Sequence, residues 1–260
     1  MTRTRVIPLP LLIRPDTLFE DSKQYPPIDL IRSFKAIDQS TLTDSKMRYS
    51  LSAALFGLAA IPFAAAATQS ITPHDSFSSS IGVLGCKINT NRVAYWPGMP
   101  DCNNFCKKVT NTNSGQSTYL LHIDSSGGAY DISYDAWVYL QNGGTAAQTP
   151  LMGGGINMEV EDAPPSECAH LLDGGKMPFT AQNGANFYTS CMNSNSWIGN
   201  NNALYGITNM ACTLGVDEIC SMTDYGQPVC PSGFAHLNDP LAGHTVYNIQ
   251  YGTGLSIPAV

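Results

Sequence analysis

All eight cysteines of the chain lie at or after position 86: Cys86, Cys102, Cys106, Cys168, Cys191, Cys212, Cys220 and Cys230. An even number confined to one part of a chain reads as a disulfide framework of up to four bridges, built in an oxidising compartment. Eight cysteines allow about 105 pairings. Four lie at or before Cys168 and four after it, so separate stapling of the two halves and bridges between them both stay open. Zinc is the rival use of the thiols. Cys102 and Cys106 form a lone CxxxC with no second pair at matching spacing and no histidine cluster, so we expect no metal and no cofactor.

Upstream, from Met47, the chain reads MRYSLSAALFGLAAIPFAAAATQS: one Arg, an apolar run rich in Ala and Leu, then small residues suited to signal-peptidase cleavage near Ala66 or Ala67. Residues 47–67 are therefore expected to be a secretory signal peptide. The alternative, a signal anchor over Leu51–Ala67, needs a longer span with fewer small residues. Residues 1–46 are rich in charge and Pro, carry no cysteine and show no sustained apolar period. They read as an unstructured extension or a mis-assigned start.

Eight of the thirteen Lys and Arg, but only six of the twenty Asp and Glu, lie in the first 67 residues, so the exported part carries a net charge near −9. Its last basic residue is Lys176. Nothing there can neutralise a run of phosphates, which excludes nucleic acid and, after signal cleavage, an anionic membrane as partners. A neutral polymer remains compatible, and we expect a secreted, extracellular monomer.

The exported part is roughly 190 residues, enough for one compact domain with an elaboration. Residues 68–82, with the Ser/Thr-rich TQSITPHDSFSSS, read as a flexible leader. Then come short β-like runs, RVAYW, CKKVTN, STYLLHID and GINMEVE, separated by Gly, Pro and Asn clusters, the pattern of a mainly β barrel or sandwich. Ile156, Met158 and Val160 alternate with Asn157, Glu159 and Glu161, as on a strand with one buried face. Past Cys168, over residues 169–260, short helical and Asn/Gly-rich stretches suggest a cysteine-containing extension packed on the barrel, with a short helix in FTAQNGANFYTSCMNSNSW.

In AYDISYDAW, Ser133 is placed to cap a helix running to about Leu140 and stopping at Asn142-Gly143-Gly144. Ala136, Trp137 and Leu140 share its inner face, and Asp135 sits in the first turn, where the helix dipole favours negative charge. Asp124 and Asp131 remain as candidates for chemistry. Each also has a structural use, Asp131 at the helix start and Asp124 in the turn of SSGG. His122 alternates with Asp124 and is expected on its face. Ser133 lacks the G-x-S-x-G setting of a nucleophile.

Taken together, CNNFCKKVTN, STYLLHID, the phrase Asp131-Ile132-Ser133 through Ala136-Trp137, and GINMEV resemble the double-psi β-barrel superfamily of expansins, barwin-like proteins and rare-lipoprotein-A-like domains, over residues 83–168. The resemblance implies a six-stranded double-psi β-barrel with short helices, the disulfide-stapled extension following it. It also implies a groove lined by an aromatic pair on the first strand, here Tyr95 and Trp96, with His122, Asp124, Tyr130 and Asp131 as further candidates for binding saccharide. One neighbour of a Tyr-Trp pair must face inward, since adjacent strand residues point oppositely.

Three functions follow. The first is a secreted expansin-like protein that binds or loosens cell-wall polysaccharide or another glycan without hydrolysis. The second is an endoglucanase-like glycoside hydrolase with Asp131 as its acid. Hydrolysis needs a second carboxylate about 5–9.5 Å away. In the resembling endoglucanases it follows the Tyr-Trp pair, where this chain has Pro97, leaving Asp124 or Asp101 as substitutes that do not match the pattern. The third is an effector or inhibitor that binds a host protein on the same scaffold. The departure at Pro97 favours binding over cleavage.

Overall fold

The computed structural model describes residues 66–260 except Phe234. The expected extension (1–46) and nearly all of the expected signal segment lie outside these residues. Six strands close into a barrel: β1 (Ala67–His74), β2 (Val93–Pro97), β3 (Cys106–Asn111), β4 (Gln116–Ser126), β5 (Tyr130–Ser133) and β6 (Ile156–Asp162), in the order β1-β5-β2-β4-β3-β6. Pairs β1/β5 and β2/β4 are parallel, and β1/β6, β2/β5, β3/β4 and β3/β6 antiparallel. Exchanging β1, β2 and β3 with β4, β5 and β6 maps this set of pairs onto itself. That internal twofold, with its two parallel crossings, is the double-psi arrangement.

The first strand corrects the sequence reading. Residues 67–74 are no leader: Ala67–Ile71 pair with β6 and Ile71–His74 with β5. Local composition disfavours order here, but strand preference depends on the surface a segment meets. Ile71 is fully buried and both edges of the segment find ladder partners. The run after it is also tied down, Ser79 Oγ donating to the Ile123 carbonyl and Ser80 N–H to the Asp124 carboxylate.

Alternation along the strands separates two cores. Ile71, Ala94, Trp96, Val109, Leu120, Ile132 and Met158 fill the interior, and α1 (Tyr134–Asn142) packs Ala136, Trp137 and Leu140 onto them. Trp137 is wholly buried, its Nε1–H donating to the Ile71 carbonyl at 3.3 Å. Gly143, at φ 75°, ends the helix in the left-handed conformation that glycine adopts without strain. Asp135 in the first turn accepts from Arg92 Nη1 and from the Ala146 N–H, both at 2.8 Å. Ser133 stands at the N-cap position but its hydroxyl makes no capping bond, so that expectation fails. The chain reaches the helix straight from β5, and the Ser133 side chain is buried against the strand that follows from the extension.

Val93, Tyr95, Leu121 and Ile123 point outward into a second core shared with the extension, which supplies Met177, Phe179, Ile198 and Leu204. Each such side chain contributes roughly 1.5–3 kcal/mol on burial. The extension carries β7 (Met177–Thr180), α3 (Ala185–Met192), α4 (Trp197–Asn200), β8 (Asn202–Ile207), β9 (Gly215–Met222) and β10 (Pro228–Val229), with the sheet order β10-β9-β8-β7, then a hairpin of β11 (Tyr247–Ile249) and β12 (Ser256–Pro258). Gly82, at φ 77°, lets the backbones touch at the join: a Cβ there would lie 2.5 Å from Gly184 Cα.

The disulfides resolve the open pairing. Cys106–Cys168 closes the barrel and Cys220–Cys230 pins β9 to the segment after β10. Cys86–Cys212 and Cys102–Cys191 cross from barrel to extension. Cys102–Cys191 lies in the shared outer core and Cys86–Cys212 in a third cluster with Leu84, Ile207 and Val246, which also joins the two parts, so the change near residue 169 is one of element type rather than a break between separable cores. No helix among the described residues is long and apolar enough to cross a membrane.

Candidate functional site

Four strands place four side chains in one row. Asp124 of β4 is in register with Tyr95 of β2, Tyr95 with Asp131 of β5, and Asp131 with Thr72 of β1. Neighbouring strands lie about 4.8 Å apart, so the backbones of the two aspartates are separated by roughly 10 Å across Tyr95. Asp131 is half-buried and accepts a short hydrogen bond from Thr72 Oγ1. Thr72 had no place in the sequence reading because it lies in the segment taken for a leader. Ile71 among Thr and Ser was the one trace of a strand there.

Asp124 is otherwise engaged. It accepts from Ser78 Oγ, from the Ser80 N–H at 2.9 Å and from its neighbour Ser125 N–H at 2.8 Å. These three donors make it a fastener for the Ser78–Ser80 turn. Asp101 is likewise spent locally, accepting from the N–H groups of Asn103 and Asn104 at 2.8 and 2.9 Å.

Tyr95 and Trp96 do not form the expected sugar platform, being 5% and 4% exposed. Tyr95 faces outward, but β11 of the extension closes over it. A void of about 20 Å³, enough for one water, remains between them, bordered by His74, Ser133 and Asn248. Its ring packs against His74 at 4.8 Å, and burial pushes its phenol above the usual range. Trp96 faces inward, with Tyr130 at 5.6 Å and His122 at 5.8 Å between ring centres. His122 does not share the face of Asp124. The pairing of β2 with β4 slips by one residue between Ala94 and Tyr95, which breaks the alternation; His122 turns inside while Asp124 meets the outer turn. Burial, with help from the nearby Lys107 charge, lowers the His122 pKa to about 4, so the imidazole is neutral at ordinary pH.

An open groove of about 440 Å³ adjoins Asp131 through their common neighbour Thr72, and Pro73, His74, Asp75, Gly153, Gly154 and Tyr251 complete it. The Tyr251 hydroxyl donates to the Gly153 carbonyl at 2.7 Å and accepts from the Gly153 N–H at 2.6 Å, which fixes the phenol against a flat glycine backbone. Neither Tyr251 nor the glycine pair is among the site residues expected from the sequence. Elsewhere Glu218, Cys220 and Cys230 come within ligand range of one another, but both thiols are consumed in a disulfide and Glu218 accepts from Ser232.

Fold and site together define a disulfide-stapled double-psi β-barrel with a half-buried Asp131 beside an open groove that is lined by Asp75, a glycine pair and Tyr251. Its particular relatives are not shown. No family model matches the chain, and no curated protein matches it. Among solved structures, cerato-platanin 3 from M. perniciosa aligns with a TM-score of 0.30 at 10% identity, covering 39% of this chain and 98% of that one. A likeness at that level carries no argument about function.

Proposed function

We propose that the chain is a secreted, expansin-like protein of the double-psi barrel superfamily that binds cell-wall polysaccharide along the groove beside Asp131 without cleaving it. The observation that carries this reading is the setting of Asp131. It is half-exposed and held in place by Thr72, at the edge of a groove with a fixed phenol and a flat backbone floor, features suited to a sugar face and its hydroxyls. The carboxylates offered by the sequence as its partner are taken up elsewhere: Asp124 and Asp101 accept from local donors, and Pro97 occupies the position after Trp96. Asp75 lines the groove and accepts from the Tyr251 N–H at 3.3 Å, so a two-carboxylate route would have to use it in place of the residue after Trp96.

Export belongs to the same proposal. Cleavage at Ala66 or Ala67 would leave the ladder from Thr68 onward intact, which N-terminal sequencing of protein recovered from culture medium can check. The functional test is retention of that protein on insoluble cellulose, chitin and whole wall material. Retention lost in Asp131→Ala supports the reading. Release of reducing ends, abolished by Asp131→Asn, would replace it with a hydrolase, and absence of retention on every glycan would return the chain to the protein-binding alternative.

A further inference from the structure

The interior side of the same barrel holds a feature that the Asp131 groove does not use. Where the lumen opens, Gln69, Trp96, Lys107, Tyr130 and Asp162, from β1, β2, β3, β5 and β6, line a pit of about 300 Å³. Beneath it the lumen is filled by Ile71, Val109, Leu120, Ile132 and Met158, so the pit has a floor and does not lead through the barrel. Its volume is at the small end of ligand sites, enough for one small molecule.

One polar group in the wall of this pit has no partner among the described residues. The Trp96 Nε1–H donates to nothing; His122, which does not line the pit, lies behind the indole. Both residues are more than nine-tenths buried. A buried polar atom left unpaired costs roughly 1–3 kcal/mol, so the indole N–H in the pit wall favours a polar occupant. Above them, Lys107 Nζ pairs with Asp162 at 2.5 Å and lies 5.9 Å from the Trp96 ring centre, while the Tyr130 ring closes another side.

The donor set selects the chemistry. Indole N–H and the Lys107 ammonium can only donate, whereas the Asp162 carboxylate only accepts. A hydroxyl does both and satisfies either. A carboxylate only accepts, and it would have to compete with Asp162 for Lys107. The formal charges of Lys107 and Asp162 cancel, which leaves a neutral pit studded with donors and acceptors.

From this geometry we infer that the barrel mouth is a second binding site, which takes one neutral polyhydroxyl unit of monosaccharide size through Trp96 Nε1, Lys107 and Asp162. A pit with a floor receives a free sugar or the end of a chain, in contrast to the open groove beside Asp131, which suits a chain passing across. The two sites lie on opposite faces of β5, with Tyr130 turned to one and Asp131 to the other, so either reading can fail alone.

The test uses the full chain exported from a secretory host. Glucose, xylose, mannose and N-acetylglucosamine are titrated by ligand-observed NMR and by tryptophan fluorescence, with acetate and glucuronate as charged controls. At least one neutral sugar is expected to saturate. Trp96→Phe, which keeps an aromatic ring and removes the N–H, and Lys107→Met should each weaken it by about tenfold, the loss of roughly one hydrogen bond. Asp131→Ala should leave it unchanged. Near-ultraviolet circular dichroism of each variant confirms the fold, and Lys107→Met keeps the test decisive if Trp96→Phe does not fold. Absence of saturable binding by every neutral sugar, preference for the carboxylates, or unchanged affinity in a folded variant would overturn the inference.

Discussion

Replacing His122 by Phe should make the protein less sensitive to acid, by an amount set by the barrel interior. The folded-state pKa is lowered to about 4 from an ordinary 6.5, because burial and then the Lys107 charge oppose the imidazolium. Between these values the unfolded chain binds a proton that the folded one refuses, so stability is complete above pH 6.5 and falls as pH drops towards 4. Weighting the two titrations gives a loss of about 2 kcal/mol at pH 5 and about 3 kcal/mol at pH 4, relative to pH 8. The Asp124 charge acts on this imidazole from the turn outside, and Asp162 pairs with Lys107, so the quantity to compare is the pH 8 to pH 5 difference in wild type against that in His122→Phe. With a urea dependence near 2 kcal/mol per molar, the midpoint separating those differences should be about 1 M. Equal acid sensitivity in the two proteins would refute the placement of a neutral histidine in the lumen.

Further outcomes follow from the same structure. Removing Cys86–Cys212 by paired Ala substitution should lower stability by about 4 kcal/mol, because the nested Cys102–Cys191 bridge shortens the loop it closes to roughly 40 residues, and removing Cys220–Cys230, a loop of 10 residues, by about 3 kcal/mol, both read from urea midpoints. Gly82→Ala should lower stability by about 2 kcal/mol, since its left-handed backbone and contact with Gly184 leave no space for a methyl group; a midpoint at the wild-type value would contradict the packing. Thr72→Val keeps the shape of the side chain and removes the hydroxyl bonded to Asp131. It should weaken retention on polysaccharide several-fold with little change in melting temperature.

What the amino-acid order reveals follows how local each signal is. CKKVTN, STYLLHID and GINMEVE became β3, β4 and β6, and the helix over 134–142 ended at its glycine, because alternation and helix stops are written within a few residues. The first strand was hidden because its partners, β5 and β6, lie some 60 to 90 residues away and its own composition is that of a loop. The partition of His122 from Asp124 turns on a one-residue slip between strands, which no single strand records. Tyr95 looked free for the same reason: the segment that covers it, Tyr247–Ile249, is about 150 residues downstream. The candidate site was half legible, Asp131 through its surrounding phrase, while Thr72 and Tyr251 joined it only by folding.

Co-sedimentation of the exported protein with insoluble polysaccharide, with reducing ends measured in the same tubes, tests the binding claim most directly. The account predicts that wild type is depleted from the supernatant, that Asp131→Ala stays in solution while folded, and that no reducing ends appear. Equal depletion of the two proteins, or sugar release that depends on Asp131, would contradict it.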